Sequence, residues 1–401
     1  MNNIGNIVLN KTCTGCGSCS YSCSLNIIQM KADEEGFLHP FVDYEKCINC
    51  GACSKHCPEA SPLERHSVKN GNYYISQYKD RKKIKKSASG GAFAGLATYV
   101  LNELYGVVFG ASLTDEMVVK HVFIENEAEL FKLQNSKYVQ SDLNTSYEIV
   151  KGFLKHNKYV LFTGTPCQVA GLYSSLGMVP VHHLITADII CHGVPSPLLF
   201  EKHIAENSKS WKGKVKSLQF RYKNPIFKSV SSFYMMMRMT RGFPIIRNPA
   251  NDPYFNIFSK GYGFRESCYN CRYANPNRIG DFTFGDCDSH RYYPQFHPYE
   301  SNSTLMINSQ MAKDLWSSGL SGYFDYSLLD IELEEKYNKQ LRAPSSRPAV
   351  RDTIYQEIKE NEWKDIENMY SSSQSMVRKI RAYLACFLPP KIVRMWGNRN
   401  G

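Results

Sequence analysis

Eight cysteines fall into two runs, Cys13, Cys16, Cys19, Cys23 and Cys47, Cys50, Cys53, Cys57, and this spacing limits what the first 64 residues can become. The runs superpose under a shift of 34 residues, with Gly17 falling on Gly51, so the stretch is an internal duplication. Cysteines at intervals of three let a tight loop wrap three corners of a cubane, and Gly15, Gly17 and Gly51 let backbone come close to the sulfides. The fourth corner then needs a ligand from elsewhere. The run Cys-x2-Cys-x2-Cys-x3-Cys binds 4Fe-4S clusters in this way, its fourth cysteine serving the neighbouring cluster. One ligand set is therefore Cys13, Cys16, Cys19 and Cys57, and the other is Cys47, Cys50, Cys53 and Cys23. Zinc bound by four cysteines usually shows two separated Cys-x2-Cys pairs instead. Ser24 stands where proline often follows the fourth cysteine, a place that Pro58 keeps in the second run. Between the halves, short apolar runs at 27–30 and 37–42 flank Asp33, Glu34, Glu35 and Gly36 and predict a hairpin.

At 401 residues the chain is too long for a two-cluster module alone and has room for further domains. No run approaches the ~20 apolar residues that span a bilayer, and the first ten residues lack the charged and apolar regions of a signal peptide. Fourteen cysteines in so long a chain, clustered at ligand spacing, point to thiolates kept in a reducing, cytoplasmic compartment and not to a disulfide scaffold. The net charge of +11 suits an acidic redox partner, nucleic acid or anionic lipid equally; with charge alone behind it, nucleic-acid binding is not expected. The fold class predicted is a multidomain α+β/α/β chain: a bacterial-type ferredoxin domain with two 4Fe-4S clusters, followed by an α/β domain.

Residues 1–64 are expected to form the ferredoxin-type domain, and 65–87 a basic linker ending in Arg81, Lys82, Lys83, Lys85 and Lys86. Beyond it, Ser89, Gly90 and Gly91 precede Phe93, Leu96, Ala97, Val100, Leu101 and Leu104 at helical spacing, with Ser89 as the expected N-cap. Glycines at a helix start admit an anion such as a flavin pyrophosphate, although many ordinary helices begin the same way. Residues 107–109, a helix near 147–154, and residues 159–162 read as strand, helix, strand, the rhythm of a parallel α/β sheet. Cys167 and Cys191 follow the apolar runs 159–162 and 184–190, so both stand near carboxyl ends of strands, where such sheets bind ligands.

Four stretches carry a family resemblance: Ser-Ala-Ser-Gly-Gly-Ala-Phe at 87–93, Ser-Lys-Tyr-Val-Gln-Ser at 136–141, Gly-Thr-Pro-Cys-Gln-Val-Ala-Gly at 164–171 and Asp-Ile-Ile-Cys-His-Gly-Val-Pro-Ser at 188–196. Together with Cys268 to Asp286 they resemble the beta subunit of coenzyme F420 hydrogenase/dehydrogenase, over roughly residues 10 to 290. The resemblance implies a flavin- and iron-sulfur-binding domain, with its N-terminal part at 88–175 and its C-terminal part at 176–345. It implies FAD, contacted by Ser89, Gly90, Gly91, Ser136, Lys137, Tyr138, Gln140, Thr163 and Thr165, with Lys137 offering charge to phosphate. Read as residues alone, Cys167 and Cys191 are either buried free thiols or partners of the pair Cys268 and Cys271, which by itself also suits zinc. The resemblance implies that Cys167, Cys191, Cys268 and Cys271 hold a third 4Fe-4S cluster. Cys287 departs from the family, which more often has an aromatic residue after Gly285-Asp286; it reads as a packed thiol or an alternative ligand.

His182, His183 and His192 are read as structural, so no catalytic residue is assigned. Residues 214–264 alternate apolar and polar positions, including Phe220, Tyr222, Phe233, Tyr234 and Met235 to Met237, and predict a further sheet with methionine as core filler. Residues 346–401 are expected to be a basic helical tail, in which Val377, Ile380, Tyr383, Leu384, Phe387 and Leu388 recur at helical spacing, with Cys386 a bystander. Such a helix lies on an anionic inner membrane surface or packs on protein. The function expected is an FAD-dependent iron-sulfur oxidoreductase, passing electrons between a redox partner protein or soluble ferredoxin and a small-molecule hydride partner, in either direction. The alternative is an electron-relay subunit without its own substrate, docked to a partner enzyme.

Overall fold

The computed structural model describes residues 4–143, 145–223, 234–247, 252–296 and 301–370. In the cysteine-rich module β1 (Ile28–Ala32) pairs antiparallel with β2 (Leu38–Val42), as the two apolar runs require. Asp33 closes the turn by accepting the N–H groups of Glu35 (3.0 Å) and Phe37 (2.8 Å). Gly36, at φ +87°, lets that turn press against the helix Pro197–Ser210: a Cβ there would stand 2.6 Å from the Leu198 Cβ.

An eight-stranded mixed sheet follows. Its members are β3 (Asn72–Tyr78), β4 (Val107–Leu113), β5 (Val119–Ile124), β6 (Val160–Gly164) and β7 (Leu184–Ile189). The chain then builds a separate three-stranded antiparallel sheet from β8 (Val215–Tyr222), β9 (Tyr234–Met239) and β10 (Ile245–Arg247). It returns with β11 (Phe282–Asp286), β12 (Ser303–Ile307) and β13 (Phe324–Leu328). The large sheet runs in the order β13-β3-β12-β11-β7-β6-β4-β5, with β11, β7, β6 and β4 mutually parallel.

The parallel strands read as unbroken apolar runs because both their faces are covered. Val108, Leu161 and Ile185 pack on one face with the helix Ala92–Asn102. Val107, Phe109, Val160, Phe162 and Leu184 pack on the other with the helices Ser146–Lys155 and Pro166–Leu176. A second core joins the three-stranded sheet to the helices Pro197–Ser210, Pro253–Ser259, Ile354–Glu360 and Trp363–Tyr370, and buried Met235 and Met237 fill it. Phe233 lies outside the described residues.

Three expectations are corrected. Residues 65–87 are not a linker: β3 lies inside the sheet between β12 and β13, with Tyr73 and Ile75 facing one core and Tyr74 and Tyr78 the other. Its polar Ser76 and Gln77 are buried because they bond Ser303 O and the Asn302 side chain (2.7 Å). The basic run becomes a short helix, Arg81–Lys86, capped by the Asp80 carboxylate. Residues 346–370 are not a tail, since Ile354, Tyr355, Ile358, Trp363 and Ile366 belong to the second core. The helical pattern predicted beyond 377, Cys386 included, lies outside the described residues. Nor is Ser89 an N-cap: Gly91 takes that place at φ +87°, and Ser89 Oγ donates to Asn302 O (2.6 Å).

Gly90 is needed by the sheet, because a Cβ would stand 2.5 Å from Ser76 O and 2.7 Å from Ser303 N, both rigid backbone atoms. Gly90→Ala is expected to destabilise the fold by about 1–3 kcal/mol through overpacking. Chemical denaturation of the cofactor-free chain checks this; an unchanged midpoint would mean that the sheet absorbs the added methyl group.

Candidate functional site

The duplicated runs fold alike. Gly17 (φ +75°, ψ −6°) and Gly51 (φ +77°, ψ 0°) each start a four-residue helix carrying the third cysteine, Ser18–Tyr21 and Ala52–Lys55. Only glycine enters this left-handed region without strain. Cys13, Cys16, Cys19 and Cys57 come together: burial, followed by the like charge of these neighbours, pushes the Cys16 thiol up to about 12 and Cys19 well above the thiol range. Cys57 is raised by burial and by Cys13. Cys13 is the exception: burial raises it, but the His39 side chain and the Arg265 guanidinium outweigh burial and bring it below its ordinary value. Cys23, Cys47, Cys50 and Cys53 line one pocket with Ile27, Ile28, Val42 and Ile48. Cys50 is exposed, so this second group sits at the rim, and Cys53 touches the first group through Cys19.

The first group is embedded in the α/β domain. Gly171 of the helix Pro166–Leu176 makes the room, because a Cβ there would stand 2.8 Å from the Cys16 Cβ and 3.1 Å from its Sγ. Cys167 lies one helical turn before Gly171, on the same face. The module is also held by His56 on Ser174 O (2.7 Å), by Arg272 on Pro58 O (3.1 Å) and Glu59 (3.3 Å), and by the Arg351–Glu35 ion pair (2.8 Å).

Cys167, Cys191, Cys268 and Cys271 form a third group, in which each of the four opposes ionisation of at least one other. Burial is the largest cause of their raised pKa values, which reach about 12 for Cys191 and Cys268. Cys167 is also raised by Cys16 across the contact at Gly171. Buried thiols with such neighbours ionise only when a cation compensates them, which is what metal ligation supplies. Among the described residues no three His, Cys, Asp or Glu side chains gather around a single-ion site. The sulfurs are grouped without closing on one ion.

Cys167 stands just beyond the carboxyl end of β6, at the second position of the helix that follows; Thr165 caps that helix in a box with Gln168, and its hydroxyl lies 3.1 Å from the Cys167 sulfur. Two buried carboxylates fix the loops that carry the other three thiols. Asp188, in β7, accepts from Arg278 (2.8 Å), Thr283 (2.7 Å), and the N–H groups of Ile279 (3.2 Å) and Gly280 (2.9 Å). Asp281 accepts from the N–H (2.9 Å) and hydroxyl (2.7 Å) of Thr186. The Cys191 loop and the Cys268–Cys271 loop are thereby tied to one point. Cys287 is buried away from this group, beside Ser289 and Glu334, and burial with the Glu334 charge pushes it up to about 12.

The segments expected to contact FAD are partly brought together. Ser89, Ser136 and Tyr138 border the end of β8, where Arg221 pairs with Asp286 and interacts with Tyr138. Lys223 donates to the carbonyls of Ile84 (3.0 Å) and Ser89, and Lys137 to those of Gln134 (2.8 Å) and Lys132 (3.2 Å). Both residues are intermediate in exposure, and the partial burial of each amine draws it down to about 7. Arg221 and Lys223 thus face one region, with Asp286 paired to Arg221, while the Lys137 amine lies among the carbonyls of the segment that precedes it. Gln140 instead turns to the cysteine-rich module, donating to Thr14 O (3.1 Å) and accepting from Arg265 (3.1 Å). Thr163 bonds Phe109 O (2.8 Å) within the sheet. His192 borders Asp286 and Arg221, whereas His182 and His183 meet edge to face before β7, at the opposite end of the strands. Arg221 and Lys223 escape a reading by sequence because they sit among ordinary strand residues. Arg265, three residues before Cys268, gives as little signal.

Residues 157–328 match the family described as the C terminus of the coenzyme F420 hydrogenase/dehydrogenase beta subunit, and residues 12–61 and 39–90 match 4Fe-4S dicluster domains. Over residues 157–328 the chain is thus similar to that beta-subunit family. A curated relative, one of the subunits of the ion-translocating oxidoreductase complex of Buchnera aphidicola subsp. Acyrthosiphon pisum (strain APS), is 34% identical over 84 residues, covering 18% of this chain and 17% of the relative. The chain thus spans about a sixth of that relative's length. Among solved structures, one from the F420-reducing NiFe hydrogenase complex of Methanosarcina barkeri is 17% identical, with a TM-score of 0.47, covering 70% of this chain and 91% of that chain. No helix among the described residues is long and apolar enough to cross a membrane.

Asp188→Ala would leave Arg278 charged and buried, which typically costs about 3–5 kcal/mol. The expected result is a large fall in the urea midpoint of the apoprotein; a midpoint within error of the wild type would mean that the pair does not organise the two loops.

Proposed function

We propose that this chain is an iron-sulfur flavoprotein subunit that carries electrons between a one-electron protein partner and a two-electron acceptor. Cys13, Cys16, Cys19 and Cys57 hold an inner 4Fe-4S cluster, and Cys23, Cys47, Cys50 and Cys53 an outer one. Cys167, Cys191, Cys268 and Cys271 hold a third, and Lys137, Arg221 and Lys223 receive the diphosphate of FAD. The clusters would supply single-electron steps, and the flavin the exchange between single electrons and a hydride.

The observation that carries this reading is the contact of Cys16 with Gly171, one turn from Cys167. It aligns the three thiol groups in series, from exposed Cys50 through Cys53 and Cys19 to Cys16, and on to Cys167. Cys191 then adjoins His192, which borders Asp286 and Arg221. The series ends beside the cationic region, at the carboxyl ends of β7 and β11, where ligands of open parallel sheets bind. Lys137 and Lys223, which among the described residues donate to carbonyls only, would gain a phosphate partner there. The curated relative is part of an oxidoreductase complex, which supports work beside partner subunits. The hydride partner is a small molecule; in the family's named members it is coenzyme F420.

Anaerobic purification with iron, sulfide and flavin assays tests the assignment. About twelve irons and one flavin per chain are expected for three cubanes, and Cys167→Ser should lose about a third of the iron. About eight irons in the wild type would remove the third cluster.

The two lysines also set a pH dependence. Their amines lie near 7 in the free protein, and a bound diphosphate favours the protonated form, so binding takes up protons. FAD affinity for the apoprotein should therefore fall as pH rises above about 7 and level off below it. Calorimetry in buffers of different ionisation enthalpy reads this directly, and Lys137→Met with Lys223→Met should abolish it. A pH-independent affinity would place the diphosphate elsewhere.

A further inference from the structure

Arg265 is 2% exposed and lies between the cysteine-rich module and the α/β domain. Its guanidinium donates to Cys13 O (2.6 Å), Leu38 O (2.9 Å) and Gln140 Oε1 (3.1 Å), and one of its nitrogens is 3.6 Å from the Cys13 sulfur. The same nitrogen meets the His39 ring (3.0 Å), and the ring of Phe37 lies 5.4 Å away. Among the described residues none of these partners is a carboxylate. A buried guanidinium keeps its charge, and charge in a low-dielectric site acts strongly on what it faces. Here it faces a sulfur of the inner group. The outer group has exposed Cys50, and its Cys47 meets the neutral side chain of Asn49.

We propose that Arg265 is the positioning residue that makes the inner cluster the easier of the two to reduce, so that an electron entering at the exposed rim runs inward. Reduction adds one electron, and one negative charge, to the inner group as the outer one is oxidised; no bond is made or broken and no proton is required. The fixed positive charge favours the reduced state, as do hydrogen bonds to the ligating sulfurs. This rests on the two-cluster reading of Cys13 to Cys57 and not on a third cluster or a flavin.

The test uses the full-length holoprotein with Arg265→Gln, Arg265→Met, Arg265→Lys and Gln140→Leu. Iron and sulfide are measured first, so that a failure of the cluster reading shows in the wild type before any potential is compared. EPR-monitored redox titration then gives the midpoints, and the outer cluster is recognised by its relaxation with a soluble paramagnet, because Cys50 is exposed. The neutral variants should lower the inner midpoint and leave the outer one unchanged. Arg265→Lys, which keeps charge but loses the fork, should hold most of the wild-type value, and Gln140→Leu, which removes interface bonds without changing charge, should hold all of it. Loss of iron from both neutral variants with retention in Arg265→Lys also supports a need for charge. An unshifted inner midpoint, an equal fall in Arg265→Lys, a comparable fall in Gln140→Leu, or loss of iron from all three Arg265 variants would overturn the proposal.

Discussion

The close approach of Cys16 to the helix Pro166–Leu176 is the contact on which the rest of this architecture depends. A single side chain at position 171 would occupy the space of the Cys16 thiol, so the absence of a Cβ decides how near the cysteine-rich module can come to Cys167. Around this contact the module is embedded, not tethered. Ion pairs and hydrogen bonds from Arg265, Arg272 and Arg351 fasten it on several sides, and Gly36 seats its hairpin on a second helix. Rotation of the module as a unit would break all of these together.

The same burial that brings the thiols together makes them hard to ionise. Thiol groups pushed up to about 12 are poor thiolates in an empty cage, so the protein alone stabilises their neutral form, and a metal ligated there would have to supply the compensating charge. The loops carrying them cannot rely on the metal for their own shape. Asp188 and Arg278 provide that shape independently, each with several partners, in the pattern by which a buried ion pair becomes tolerable. Charge is therefore used twice: as a fixed scaffold behind the third group, and as a buried guanidinium against the first that, among the described residues, bonds no carboxylate directly.

Much of this was legible in the chain. The duplicated cysteine runs, the hairpin between them, and the apolar runs of β4, β6 and β7 are local patterns, set by spacing and by burial on both faces. What was not legible depended on partners distant in sequence. β3 looks like a polar connector until Ser303 and Asn302 arrive to satisfy Ser76 and Gln77. Residues 354–366 look like part of a tail until the three-stranded sheet supplies the core that covers them. Arg221, Lys223 and Arg265 are cations in unremarkable surroundings, and only the enclosure around each gives it a role.

By itself, then, the sequence determined the chemistry of the cysteine-rich module, because ligand spacing over a few residues is a local property of the backbone. It also determined that an α/β sheet follows, because strands covered on both sides must be continuously apolar. Tertiary structure alone decided that Cys167, Cys191, Cys268 and Cys271 meet, that Gln140 faces Arg265 and not the cationic region, and that Cys16 lies beside Cys167. These depend on strand order and on the fit between two domains, and no short-range pattern encodes either.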